Sequence, residues 1–178
     1  MLVVNLFGGP GAGKSTMAAE IFAILKKRGV EAELCMEYAK TLVWQERYQT
    51  LKDSLYVLAK QNSILVSLPA RGITVAVTDS PLPVISSYRP VDYLPELDVV
   101  VKQTFNGYEN LNFFLQPNHR YSCVGRLQTE AEAQHAGDKI RALLDEWAIP
   151  YREVAVNATT PHKIADIVSA LLVEKGAA

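Results

Sequence analysis

Nine consecutive residues, Gly8-Gly9-Pro10-Gly11-Ala12-Gly13-Lys14-Ser15-Thr16, constrain this chain more than any other stretch. They satisfy the pattern G-x-x-x-x-G-K-[ST], with Gly8, Gly13, Lys14 and Ser15 at its defined positions. A phosphate chain is polyanionic and is best wrapped by backbone N–H groups with no Cβ atoms in the way. Glycine permits both the positive φ angles and the close approach. The loop then feeds a helix N-terminus, whose N–H groups and dipole favour an anion. Lys14 is placed to reach the β- and γ-phosphates of ATP, and the Ser15 hydroxyl to ligate Mg²⁺. The flanks agree. Residues 2–7 are a short apolar run that reads as a buried strand. Met17, Ala18, Ile21, Phe22 and Leu25 then recur at helical spacing until Gly29. A dinucleotide fingerprint beginning at Gly9 and Gly11 would need a third glycine where Lys14 stands.

The remainder alternates strand and helix. Residues 31–36 read as a second strand ending at Glu37, followed by a helical stretch from 38 to about 48. A long helix over 51–68 is expected to carry Leu55, Leu58, Ala59, Asn62, Leu65 and Val66 near one stripe. Residues 73–78 are a further strand, with Asp79 at its C-terminal end. Prolines at 81, 83, 90 and 95 make 80–95 an irregular loop with one helical turn around 84–88. A helix over 97–105 and a strand over 112–115 follow. Thr129-x-x-Glu132 is a capping box opening a helix whose inner face is Ile140, Leu143, Leu144 and Trp147. A last strand over 151–156 and a last helix over 160–174 complete the chain. Five short apolar strands alternating with helices predict an α/β fold, a three-layer, doubly wound, parallel five-stranded sheet of the P-loop NTPase kind. Ligands in such folds sit beyond the C-terminal strand ends, where the glycine loop, Glu37 and Asp79 all fall.

The 178 residues fit one domain, read here as 1–178. A net charge of −1 gives no global basic field pointing to nucleic acid, although it leaves a local basic groove open. Cys35 and Cys123 lack metal-binding spacing and read as reduced thiols of a cytoplasmic protein. The N-terminus enters the first strand at once, so no signal peptide is expected. No apolar run approaches the roughly 18 residues of a membrane span, so no membrane partner is expected.

Four groups of polar residues are candidates for chemistry. Asp79 ends an apolar strand, as expected of the aspartate that holds Mg²⁺, directly or through water, in a phosphoryl-transfer site. It is followed by Ser80, whereas ATPases that polarise a water often place Glu there. Glu37 could take the proton of a hydroxyl attacking the γ-phosphate, and Asp79 inherits that role if it does not. Arg120 and Arg126 flank a polar loop at 117–128, read as a lid whose cations close over the transferring group; two solvated arginines are the plain alternative. Trp44, Arg47, Tyr88, Arg89 and Tyr108 mix aromatic faces with cations where an acceptor pocket is expected, as stacking and phosphate recognition would require. Packing and surface charge explain them equally well. His119, His135 and His162 lack ligand spacing.

The glycine loop with Glu37, Asp79-Ser80-Pro81 and the 120–126 arginines resembles the P-loop kinases of nucleosides and nucleotides, in a layout similar to thymidylate and deoxynucleoside kinases. Within that group the stretches at 5–11, 36–40, 78–81, 110–115 and 124–129 resemble a phage-encoded set. Some members of that set are 5-hydroxymethyluracil DNA kinases, acting in thymidine hypermodification. The resemblance implies ATP and Mg²⁺ as cofactors. As acceptor it implies DNA containing a modified base, with a free nucleoside or nucleotide as the alternative. A homodimer is left open. Typical thymidylate kinases carry Asp-Arg where this chain has Asp79-Ser80, which argues against a nucleoside monophosphate acceptor. A P-loop ATPase or switch that moves no phosphoryl group is the reading from another class.

Overall fold

The computed structural model describes residues 1–117 and 129–176. Strand β1, Leu2–Phe7, is followed by the glycine loop and helix α1, Lys14–Lys27. Strand β2 is Ala32–Cys35. Three helices follow it, α2 at Tyr38–Trp44, α3 at Tyr48–Leu51 and α4 at Ser54–Val66. Strand β3, Val75–Thr78, precedes the short helix α5, Val84–Ser87, and helix α6, Leu97–Asn106. Strand β4, Glu109–Gln116, helix α7, Glu130–Glu146, strand β5, Arg152–Ala155, and helix α8, Thr160–Glu174, complete the order. All sheet pairings are parallel, in the order β2-β3-β1-β4-β5.

The sheet is covered on both faces, which is why its central strands β1 and β3 are apolar and buried almost throughout while the edge strands β2 and β5 are not. Leu2, Val4 and Leu6 pack with Ile21 and Leu25 of α1 and Ile164 and Val168 of α8. Val3 and Phe7 point the other way, into a core shared with Leu58 and Leu65 of α4, Val101 of α6, and Ile140 and Leu144 of α7. Asn5 is the polar exception on that face, 2% exposed. Its amide donates to Asn110 Oδ1 and Asn112 Oδ1 across the β1–β4 pair, both at 2.9 Å. This asparagine ladder satisfies buried polar groups that would otherwise destabilise the sheet, and it explains why β4 runs Glu109–Gln116 rather than the expected 112–115.

Two helical expectations change. The stretch from 38 to 66 breaks into three helices, with Glu46 in the left-handed region at φ 56° ending the first. The buried face of α4 is Ser54, Val57, Leu58, Gln61 and Leu65, while Leu55 and Val66 are exposed. The α7 capping box is present, with the Thr129 hydroxyl accepting from the Glu132 N–H and the Glu132 carboxylate accepting from the Thr129 N–H.

Candidate active site

The parallel pairing brings three chain segments to one edge. Asn5, Thr78 and Cys35 are in register across β1, β3 and β2. The glycine loop, Asp79 and Glu37 therefore leave the sheet side by side.

Gly8, Gly11 and Gly13 take φ of 145°, 82° and 85°, values that side chains rarely adopt. Gly13 is the N-cap of α1 and offers no side chain to its first turn. A helix N-terminus with a glycine cap is the kind of start that suits an anion. The Lys14 ammonium donates to the carbonyls of Gly8 at 2.8 Å and Gly9 at 2.9 Å, folding back along the loop it serves. Gly9 has a separate reason to be glycine. A Cβ there would lie 2.4 Å from the Ala133 carbonyl oxygen of α7, and Gly137 on the next turn of that helix also faces it. The loop and α7 touch backbone to backbone.

The Ser15 hydroxyl donates to Asp79 Oδ2 at 2.5 Å. Asp79 is 2% exposed, and its Oδ1 is buried without a hydrogen-bond partner. A hydroxyl, a buried carboxylate and an unpartnered oxygen suit a hard divalent cation. Mg²⁺ takes oxygen donors and is usually held by one or two carboxylates together with substrate phosphates. Among the described residues no cluster of three His, Cys, Asp or Glu offers a softer metal an alternative cage. The residues present fit Mg²⁺ with Ser15 and Asp79 as its protein ligands.

Glu37 is the N-cap of α2 and is half-buried. Burial raises its carboxyl above the ordinary range, Lys14 and Lys40 pull it down, and Asp79 pushes it up. A raised carboxyl near cations and a metal-binding aspartate has the character of a proton acceptor tuned toward neutral pH. Tyr88 follows α5 and lies close enough to feel Glu37. Half of Tyr88 is exposed, yet desolvation of its phenol first, and the Glu37 charge second, push it up to about 12.

The remaining predicted residues divide. Trp44 ends α2 and is 72% exposed, two turns from Glu37. At the start of α2, the Tyr38 and Tyr56 hydroxyls meet at 3.0 Å and Lys60 lies 5.6 Å from the Tyr56 ring centroid. Arg89 is engaged elsewhere, pairing with Asp98 at 3.2 Å and donating to the Tyr93 carbonyl. Tyr108 precedes Glu109, which pairs with Leu2 at the opposite end of β1 from the loop, but its phenol reaches back far enough to feel Cys35 at the end of β2. Its hydroxyl donates to Asn62 Oδ1 at 2.6 Å, a packing role. Arg120, Arg126 and residues 118–128 of the predicted lid lie outside the described residues, as do His119 and Cys123. Two participants that sequence reasoning missed are Gly137, which seats the loop, and Gln61, which touches the backbone on either side of Glu37. Only the buried face of α4 would have exposed Gln61.

A cavity of about 120 Å³ lies between Gly9–Ala12, the end of β4 and α7. Arg141 lines it, stacked 4.2 Å from the Phe114 ring centroid and paired with Glu153. A larger cavity, about 270 Å³, opens at the opposite end of the sheet among Met1, Ile73 and Glu109, remote from these groups.

This sheet order and glycine loop define the P-loop NTPase fold. The chain belongs to the AAA domain family, whose model matches residues 3–160. Solved structures share its architecture at low identity. A thymidylate kinase from Ehrlichia chaffeensis is 13% identical, with a TM-score of 0.58, over 96% of this chain and 98% of that one. A deoxyadenosine kinase from M. mycoides, solved with dCMP and dCDP, is 17% identical, with a TM-score of 0.50, over 97% and 99% of the two chains. At these identities the likeness is one of fold. No curated protein matches the sequence.

Proposed function

We propose that this protein is an ATP- and Mg²⁺-dependent phosphotransferase acting on a hydroxyl of a nucleobase or nucleoside, with 5-hydroxymethyluracil in DNA as the favoured acceptor. The observation that carries the phosphotransfer reading is the Ser15–Asp79 pair, with its unpartnered Oδ1, beside Glu37 at the adjoining strand end. Lys14 and the loop N–H groups hold the ATP phosphates. Bound by Ser15, Asp79 and phosphate oxygens, Mg²⁺ would offset the charge that builds up on the transferring group. The acceptor oxygen forms a bond to the γ-phosphorus as the bond from that phosphorus to the β–γ bridging oxygen breaks, and ADP departs. Glu37 takes the hydroxyl proton, while Arg126 and Arg120 are proposed to close over the equatorial oxygens.

The acceptor assignment is supported by the sequence resemblance and by the surface running from Glu37 along α2 to α4. Exposed Trp44 and Tyr48, the Tyr38–Tyr56 pair and the cations Lys40, Arg47 and Lys60 gather there. Aromatic faces interleaved with cations suit a base and its flanking phosphates. A base inside a duplex would first be unstacked, at about a few kcal/mol. A second reading, a kinase of free nucleosides or nucleotides, is favoured by the activities named for the two structural neighbours.

The test is incubation with γ-labelled ATP and Mg²⁺ in three arms: DNA containing 5-hydroxymethyluracil, ordinary DNA, and free nucleosides with their monophosphates. Label on the modified DNA alone supports the first reading. Label confined to free nucleosides or nucleotides moves the chain to the second. Phosphate released equally in every arm, with no acceptor labelled, refutes both and favours an ATPase.

A further inference from the structure

We infer that Gln61 is a positioning residue for Glu37, its buried carboxamide clamping the peptide groups on both sides of that glutamate. The inference rests on Glu37 being the proton acceptor.

The first N–H groups of a helix have no partners within it; an N-cap side chain ordinarily takes that of the second or third residue, and the first needs a partner from elsewhere. Helix α2 starts at Glu37, with φ −60° and ψ 114°, and the Glu37 side chain makes no capping hydrogen bond. The acceptor comes from another helix. Gln61 Oε1 receives the Tyr38 N–H at 2.9 Å, while Gln61 Nε2 donates to the Met36 carbonyl at 3.3 Å. These two groups bracket Glu37 in sequence. Gln61 is 1% exposed, between Leu58 and Leu65 on the buried face of α4, so the clamp is anchored in the core.

The chemistry of the side chain fits the task. A carboxamide presents one acceptor and one donor at the same end. A carboxylate would lack the donor, and an apolar chain of equal length would lack both. Gln61 satisfies the first of these N–H groups, that of Tyr38, and the Glu37 carboxylate is not committed to capping. Gln61 also sets the direction in which that carboxylate leaves the end of β2. The charged and titratable groups acting on that carboxyl are Lys14 from α1, Asp79 from the end of β3, Lys40 from α2 and Tyr88 after α5. The clamp determines where among them the carboxylate stands.

The experiment is a double-mutant cycle with Gln61→Met and Glu37→Gln, assayed with γ-labelled ATP on the acceptor the wild-type protein labels in the three-arm assay. Amide exchange at Tyr38 is measured alongside. Gln61→Met is expected to speed Tyr38 exchange about tenfold or more and to lower kcat by about 10- to 100-fold, with KM for ATP changed less than about threefold. In the Glu37→Gln background the same substitution is expected to cost no further rate, because both changes remove one function. Gln61→Glu keeps the acceptor for Tyr38 and should fall between; it carries the cycle if Gln61→Met does not fold. Equal losses in both backgrounds, or unchanged Tyr38 exchange, overturn the positioning role and leave Glu37 as the base. Wild-type turnover by Glu37→Gln alone overturns the base assignment and this role with it.

Discussion

The contact between Gly9 and α7 predicts opposite outcomes for two glycine-to-alanine substitutions that face each other. A Cβ on Gly9 meets the Ala133 carbonyl oxygen at 2.4 Å. The obstacle is backbone, so relief requires α7 or the loop to shift by about 0.6–1 Å, an overpacking cost of about 1–3 kcal/mol. For a chain of this size each kcal/mol lowers Tm by roughly 2–4 °C. A Cβ on Gly137 meets Gly9 N at 3.4 Å and Gly9 Cα at 3.6 Å, ordinary contacts. Alanine in the interior of α7 is also a better helix former than glycine, by about 1 kcal/mol. Thermal unfolding of both variants, with and without ATP, separates the cases. Gly9→Ala should lose stability and bind ATP more weakly, because Gly9 O also accepts from Lys14 and Ala12 N. Gly137→Ala should be neutral or slightly more stable. Equal effects of the two substitutions, or an unperturbed Gly9→Ala protein, would refute the reasoning.

Other outcomes follow from the site. The folded Glu37 carboxyl is raised, chiefly by burial. Its contribution to stability is therefore present at low pH and lost as pH climbs from the ordinary carboxylate value through the raised one. Glu37→Gln should be more stable than wild type to urea at pH 8, and the advantage should vanish below about pH 4; an equal gain at both pH values would contradict this. Burial, with Glu33 and Asp79 nearby, pushes the Cys35 thiol up to about 12. In a Cys123→Ser background, Cys35 should therefore resist a thiol reagent at pH 8 until the protein unfolds, and rapid labelling of the native state would count against it. Asp79→Asn should lower turnover by about a hundredfold or more and raise the Mg²⁺ concentration needed for half-maximal rate; an unchanged Mg²⁺ requirement would remove Asp79 from the metal site.

What could be read from the sequence was what local spacing controls. Gly8–Thr16 announces its own backbone, because glycine positions and the lysine reach are set within nine residues. Glu37 and Asp79 were legible because each ends an apolar strand, and parallel strands deliver their C-terminal ends to one edge. Residues whose role depends on a partner from elsewhere were not legible. Gln61 falls outside the expected stripe of Leu55, Leu58, Ala59, Asn62, Leu65 and Val66, because the buried face of α4 is rotated toward it. Gly137 carries no local signal, because its role lies in the contact with Gly9 from another segment. Which way Tyr108 directs its phenol was not legible either, because its partner Asn62 comes from α4. The asparagines of β4 hid its first turns of pairing, since buried polar residues read as loop unless their cross-strand partner, Asn5, is known.

The central claim is that Glu37 takes the acceptor proton while Lys14, Ser15 and Asp79 hold the nucleotide. Its most direct test is single-turnover transfer from γ-labelled ATP by wild type and Glu37→Gln, with ATP affinity measured in parallel through a fluorescent analogue. The account predicts equal nucleotide affinity and a transfer rate lower by about 10²- to 10⁴-fold in the variant. A Glu37→Gln protein that transfers label at close to the wild-type rate would contradict it and hand the base role to Asp79.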